Sequence, residues 1–214
     1  MTFQTIINRA QSIEFNRRRV VGQSISRSQR IKTAERISAQ PFVLTVTPQA
    51  RFTFESERPT IEMIQNFDRN EECPVQIGQI EGLRFINSYL GSLSSGELSS
   101  LTITNATSTS ITIGGLPSVS SSTVIFKAGD WIQPTDSRYP YIVTEQVLRG
   151  TTSTVTATTH RPIITSEGIS LTGPLKIGTQ TTMVVIASQF PTYSVIDHNW
   201  AQYNGDFVFV EKVI

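Results

Sequence analysis

One cysteine, two histidines, no long apolar run and a net charge of +1 deny this chain the raw material of several protein classes. Cys73 stands alone, so there is no internal disulfide framework. A disulfide-rich secreted scaffold is excluded, and folding in a reducing cytoplasm is allowed. The histidines, His160 and His198, have no Cys/His cluster around them. Asp197 and His198 are neighbours, and neighbours on a strand point to opposite faces, so no metal site is expected. A near-neutral chain has no global field directed at nucleic acid or membrane. The longest strongly apolar run, Met183–Ala187, is far too short to span a bilayer. The opening "MTFQTIINRAQSIEF" lacks the apolar stretch of a secretory leader, so no signal peptide is expected. There is also no Gly-rich phosphate loop and no GxSxG elbow, and no serine is singled out by a base and an orienting partner. The expectation is a protein with no catalytic residue, no cofactor and no metal.

What is present is unevenly placed. The chain's 214 residues suffice for one large domain or two small ones. Residues 1–59 hold ten Arg/Lys against four Asp/Glu, and residues 60–214 hold eight against thirteen. The first part is therefore at +6 and the rest at −5. A basic segment on a mildly acidic body invites self-association or a neighbour of opposite sign. Over residues 1–40 apolar residues are sparse, and Arg17, Arg18, Arg19, Arg27, Arg30, Lys32 and Arg36 keep the segment wet. It reads as a solvated loop or short helix, or as an extended arm that orders on a neighbouring subunit. Nucleic-acid binding is the weakest reading, because no aromatic stacking residues interleave the arginines.

From Pro41 the texture changes. "PFVLTV" alternates Phe42, Leu44 and Val46 against Val43 and Thr45, which predicts a strand. "RFTFES" predicts its returning partner in a hairpin over 42–55. Pro59 suits a helix start, since its missing N–H costs nothing in the first turn. Ile61, Ile64 and Phe67 give one apolar stripe, so a helix is expected over about 60–72. Val75, Ile77, Leu83, Phe85 and Tyr89 predict a further strand pair.

The third texture is rich in hydroxyls. Of the 32 residues from Ser92 to Thr123, 17 are Ser or Thr and only Glu97 is charged. Alternating isoleucines in "LTITNATSTSITIGGLP" argue for two short strands around a polar turn rather than disorder, because Thr suits a half-buried pleated surface. "SSTVIFKAGDWIQ", "YPYIVTEQV", "STVTATTHRPII", "GISLTGPLKIG", "TTMVVIASQF" and "GDFVFVEKVI" continue the pattern. Strands every 8–12 residues mean a sandwich or barrel.

Two kinds of side chain could carry function. Asp130 with Asp136, or Asp206 with Glu211, could in principle act as a glycosidase pair, which needs a cleft-spanning separation of about 5–9 Å. "GDW" and "GDF" are more simply tight turns feeding strands, with Asp supplying local hydrogen bonds. Trp131, Tyr139, Tyr141, Tyr193, Trp200 and Tyr203 could line a sugar-binding groove, or pack in a core or subunit interface.

The stretches "FQTIINRAQSIEFNRRRVVGQSISRSQRIKTAER", "PFVLTVTP" and "FPTYSVIDHNWAQYNGDFVFVEKVI" together resemble structural tail proteins of tailed bacteriophages, particularly contractile-tailed phages of cyanobacteria and marine bacteria. "GDWIQPTDSRYPYIVTEQVLRG…THRPII" is similar to a β-module that recurs in phage tail and capsid proteins. The resemblance implies a ring-forming β-sandwich with one helix and no catalytic residue. It implies a virion protein, made in the host cytoplasm, whose partners are copies of itself and neighbouring tube, baseplate or sheath proteins. The layout then suggests a basic arm over 1–40, a discontinuous β-sandwich core from 41–94 and 169–214, and an inserted Ser/Thr-rich β-domain over 95–168. Under that reading Arg17, Arg18, Arg19, Arg27, Arg30 and Arg36 make subunit contacts. The alternative is a glycan- or receptor-binding β-module at the tail tip, using Trp131, Tyr139 and Tyr141. An enzyme acting on cell-wall polysaccharide is the third possibility.

Overall fold

The computed structural model describes residues 3–17, 20–25, 31–36, 40–66, 71–79, 84–164 and 171–213. Along the chain come α1 (Phe3–Asn8), β1 (Ser12–Asn16), β2 (Val20–Ile25), β3 (Ile31–Arg36), β4 (Val43–Thr47), β5 (Phe52–Thr53), α2 (Phe54–Asn66) and β6 (Cys73–Val75). Two single turns of 3-10 helix, Ile77–Gln79 and Arg84–Ile86, lead to α3 (Ser95–Leu98). Then follow β7 (Thr102–Ala106), β8 (Ser110–Gly114), β9 (Val124–Phe126), β10 (Trp131–Pro134), β11 (Tyr141–Ile142), β12 (Val147–Leu148), β13 (Val155–Thr158) and β14 (Gly173–Ile177). After a 3-10 turn at Gly178–Gln180 the chain closes with β15 (Met183–Gln189), β16 (Thr192–Asp197), β17 (Trp200–Asn204) and β18 (Phe207–Glu211). The fold is mainly β, with antiparallel sheets.

The residues divide into two compact units. The first takes residues up to Glu35, Gln40–Val75 and Val184–Val213, and the second takes Gln76–Met183 together with Arg36. The first holds a five-stranded sheet ordered β1-β4-β18-β15-β6, a three-stranded sheet β16-β17-β5 and the β2-β3 pair. Alternation sets the register. Leu44 pairs with Phe15 on β1 and with Phe209 on β18. Phe42, Leu44, Val46, Val185, Phe207 and Phe209 are all buried, as a period of two on a half-covered sheet requires. Phe3 and Ile7 of α1 are fully buried, with the Phe3 ring 5.0 Å from that of Phe209.

Several expectations change here. The segment expected as an extended arm contains α1 and β1, which are built into this unit through a buried helix face and a full strand pairing. The expected 42–55 hairpin is absent: β5 pairs with β17, not with β4. The helix starts at Phe54 rather than near Pro59, which lies inside it. The reason is an external cap. The amides of Phe54 and Glu55, which no helical carbonyl can reach, donate to the carbonyl and side-chain oxygens of Asn199 at the turn between β16 and β17. Glu55 and Glu57 in the first turn add favourable charge. The helix ends at Asn66, and residues 67–70 of the expected span lie outside the described residues. Beyond β6 the predicted strand pair is replaced by the two 3-10 turns, with Leu83 outside the described residues.

The second unit follows the Ser/Thr reading closely. β7 and β8 form the predicted hairpin, and Ile103, Ile111 and Ile113 turn inward. They belong to a six-stranded sheet ordered β11-β10-β14-β7-β8-β13, with β12-β9 as a separate pair. α3 was not foreseen. Ser94 and Glu97 close a reciprocal capping box around it.

Candidate interaction surface

The aromatic stretch Trp131–Tyr141 of the second unit is core. Trp131 and Tyr139 are at most 3 % exposed and Tyr141 is fully buried. β10 and β11 pair Trp131 with Ile142 and Ile132 with Tyr141. The Tyr141 hydroxyl accepts from the Ile164 amide. Arg161 is enclosed beside them, its guanidinium donating to the Pro140 carbonyl and lying 5.8 and 5.4 Å from the Tyr139 and Tyr141 ring centroids. Tyr139 and Tyr141 therefore lie beside an internal cation, and all three buried aromatics offer no ring face to a glycan, which corrects their assignment as surface contacts.

The carboxylate pairs are also spoken for. Asp130 is fully enclosed, its Oδ1 accepting from the Leu90 amide and its Oδ2 from the Lys127 amide. Gly129 at φ 102° makes the local turn. Burial pushes the Asp130 pKa up, against the pull of those two amides and of Lys127. Asp136 is exposed. Glu211 is buried and accepts from the Phe42 amide. Gly205 at φ 103° makes the corresponding turn before Asp206. His160 Nδ1 accepts from the Ile142 amide. His198 sits at the exposed turn after β16, with its Nδ1 2.7 Å from Asp197 Oδ1, and this contact lowers the Asp197 pKa. Among the described residues no three His, Cys, Asp or Glu side chains gather as a metal site.

Of the arginines assigned to subunit contacts, Arg17 is exposed just after β1 and Arg36 ends β3. Arg18, Arg19, Arg27 and Arg30 lie outside the described residues.

The surface that stands out belongs to the first unit: the β16–β17 hairpin. Val195, Ile196 and Trp200 are exposed by 64 %, 47 % and 48 %, and they fall together on one hairpin rather than singly. The hairpin has two unlike faces. Tyr193 opposite Tyr203 and Val195 opposite Ala201 form one. Phe52 continues that face, and Ile61 of α2 covers it, with Phe54 against Tyr193 at 5.8 Å between ring centroids. Thr192, Ser194, Gln202 and Asn204 form the other, where Asn204 donates to the Ser194 hydroxyl. Between α2 and the beginning of β16 lies a groove of about 260 Å³, lined by Ile61, Ile64, Gln65, Pro191, Thr192, Tyr193 and Tyr203. Among the described residues β16 ends its sheet, and on that side every second residue turns its N–H and C=O away from β17.

No family model and no curated protein matches this chain.

Inside the unit a second, smaller cavity of about 40 Å³ lies among Ile6, Arg9, Phe52, Glu57, Thr60, Tyr203 and Phe207. Arg9 and Glu57 form an ion pair at its rim. The Tyr203 hydroxyl is buried without a hydrogen bond of good geometry. Burial first, then the nearby Glu57 charge, pushes its pKa above the ordinary phenol value. Sequence reasoning included Tyr193, Trp200 and Tyr203 among the aromatics but did not single out the hairpin. The signal was available in "TYSVIDHNWAQYN": alternation on both sides of an Asn that takes φ 64°.

Proposed function

We propose that this chain is a non-enzymatic structural protein of a phage tail, assembling with copies of itself into a ring of the tube or baseplate region. The terminal segments' resemblance to tail proteins supports the tail assignment. The observation that carries self-association is β16, an end strand flanked by exposed Val195, Ile196 and Trp200 and bordered by an apolar groove. Strand edges on monomers are normally blunted by lysine, proline or a covering element. β16 has neither lysine nor proline within Thr192–Asp197, and its bulge comes late, after Val195. The net positive charge of residues 1–59 in the sequence complements the acidic remainder of an adjacent copy.

The best-placed carboxylates, Asp130 and Glu211, are enclosed and already bonded to backbone amides, which weighs against a hydrolytic site. No observation favours the glycan-binding alternative once Trp131, Tyr139 and Tyr141 are buried.

Native mass spectrometry and light scattering across a concentration series test the reading, with negative-stain microscopy of any assembly. Discrete oligomers, with rings in the images, are expected. A compact monomer at every concentration overturns it.

A further inference from the structure

We infer that the six-stranded sheet of the second unit closes on itself along a seam between the ends of β11 and β13, and that the neutral ring of His160 is a pH-sensitive latch on that seam.

The closure is read from the ladder. From β11 the sheet runs through β10, β14, β7 and β8 to β13. Its two end strands then meet. Val143, next after β11, bridges Thr159, next after β13, in antiparallel sense. On either side of that bridge the His160 amide donates to the Ile142 carbonyl at 2.9 Å, and the Thr144 amide to the Thr158 carbonyl at 3.0 Å. Val143 turns its own amide the other way, to the Asp130 carbonyl just before β10, and the Thr159 amide goes to the Thr109 carbonyl just before β8. Both end strands are thus bonded on two sides, which an open sheet cannot show at its ends.

A hydrogen-bonded pair in an antiparallel ladder exchanges two bonds, amide to carbonyl in each direction. At Ile142 and His160 the ring makes one of the two: the Ile142 amide donates to His160 Nδ1 at 2.9 Å. The chain bends here ahead of Pro162, with the Thr159 hydroxyl donating to the Arg161 carbonyl, and the imidazole takes the place of the His160 carbonyl. An amide can only donate, so Nδ1 presents a lone pair and the ring is neutral. A further proton goes to Nδ1. It sets donor against donor, and the amide of buried Ile142 loses its acceptor.

The charges around the ring do not offset that loss. The Tyr141 ring centroid lies 6.5 Å from that of His160, and the Arg161 guanidinium lies 5.4 Å from the same tyrosine ring and 5.8 Å from that of Tyr139. A charged His160 is therefore placed near a like charge. Among the described residues the acids of the adjoining segments are engaged elsewhere: Glu145 accepts from the Thr158 hydroxyl, and Asp130 from the Leu90 and Lys127 amides. The latch thus holds above the ordinary imidazole range, roughly pH 6.5, and releases as pH falls through it. Release turns β11 and β13 into end strands with unpaired edges, where the closed sheet has none.

Nuclear magnetic resonance on the isotope-labelled full-length chain tests both halves of the inference. At neutral pH the His160 ring should carry its proton on Nε2 and none on Nδ1. Amide exchange is then followed as pH is lowered, each rate corrected for the intrinsic pH dependence. Between about pH 7.5 and about pH 5, protection at Ile142 and Thr144 should fall about tenfold more than at Val143. Val143 is the internal control, because its amide bonds toward β10 and not across the seam. His160→Asn, whose side-chain oxygen can accept where Nδ1 does, should keep Ile142 protected and abolish the pH step. A proton on Nδ1 at neutral pH overturns the latch. So does equal loss of protection at Ile142 and Val143, or a pH step that survives in His160→Asn. Should that variant fail to fold, the wild-type comparison of Ile142 with Val143 decides alone. Ile142 and Thr144 exchanging as unprotected amides at neutral pH overturns the closure itself.

Discussion

The two units solve the same problem with different chemistry. The first fills its interior with rings: Phe3, Phe190, Phe207 and Phe209 meet at centroid distances of 5.0–6.3 Å, and Phe15 meets Phe42 at 5.0 Å. The second has few phenylalanines and buries polar side chains that act as substitute backbone. Gln133 is fully buried; its amide donates to the Ser137 and Thr182 carbonyls while its oxygen accepts from the Thr182 amide. Asn87 donates to the Gly178 carbonyl. Asp130 collects two amides. A segment whose composition looks disordered can thus hold a fixed structure, because strands too short to satisfy one another are tied by enclosed amides and carboxylates. The two strategies should fail differently. Removing a ring leaves a void, whereas removing a polar tie leaves orphaned groups.

The largest effect is expected at Phe209→Ala. It should cost the first unit about 3–5 kcal/mol in urea denaturation, with little change in amide exchange at Thr182. Next comes Gln133→Leu, which keeps volume but strands one amide and two carbonyls. About 2–3 kcal/mol should be lost, and exchange at the Thr182 amide should rise. If Gln133→Leu is neutral, the second unit is held by ordinary apolar packing and the contrast fails. Asp130→Asn sharpens it further. The folded state raises this carboxyl's pKa, so the folded chain binds its proton more tightly than the unfolded chain. The contribution is complete below the ordinary carboxylate value and is lost as pH rises through the raised one. Wild type should therefore shed stability across that window. The Asn variant should lack the slope, at a constant cost of about 1–2 kcal/mol for one lost acceptor. Ser94→Ala, which opens the capping box, should cost about 1 kcal/mol. Smallest of all, Tyr203→Phe in the first unit should shift stability by under about 0.5 kcal/mol, since its hydroxyl has no bond to lose.

Most strands could be read from alternation. β4, β7, β8, β14, β15 and β18 fall where isoleucine, valine, leucine or phenylalanine recurs at alternate places, and β13 where Val155 and Ala157 do. What could not be read was long-range. β5 is two residues whose partner, β17, lies far along the chain, so "RFTFES" reads as half of a local hairpin. The α2 start depends on Asn199, which no local pattern can announce. α1 carried a signal, Phe3, Ile6 and Ile7 on one helical face, but six residues are too few to stand out among arginines. For the site, Trp131, Tyr139 and Tyr141 misled because aromatic residues serve cores and ligand faces equally well. Only burial separates those uses.

β6 and β15 are neighbours in the five-stranded sheet, and the chain leaves the first unit after one and re-enters at the other. Three strands of that sheet, β1, β4 and β6, precede the second unit in the chain, and two, β15 and β18, follow it. Its ladder is thus sewn from both sides of a long excursion, and β1, β4 and β6 gain their bridge only once Phe207–Glu211 is available to join β4 to β15.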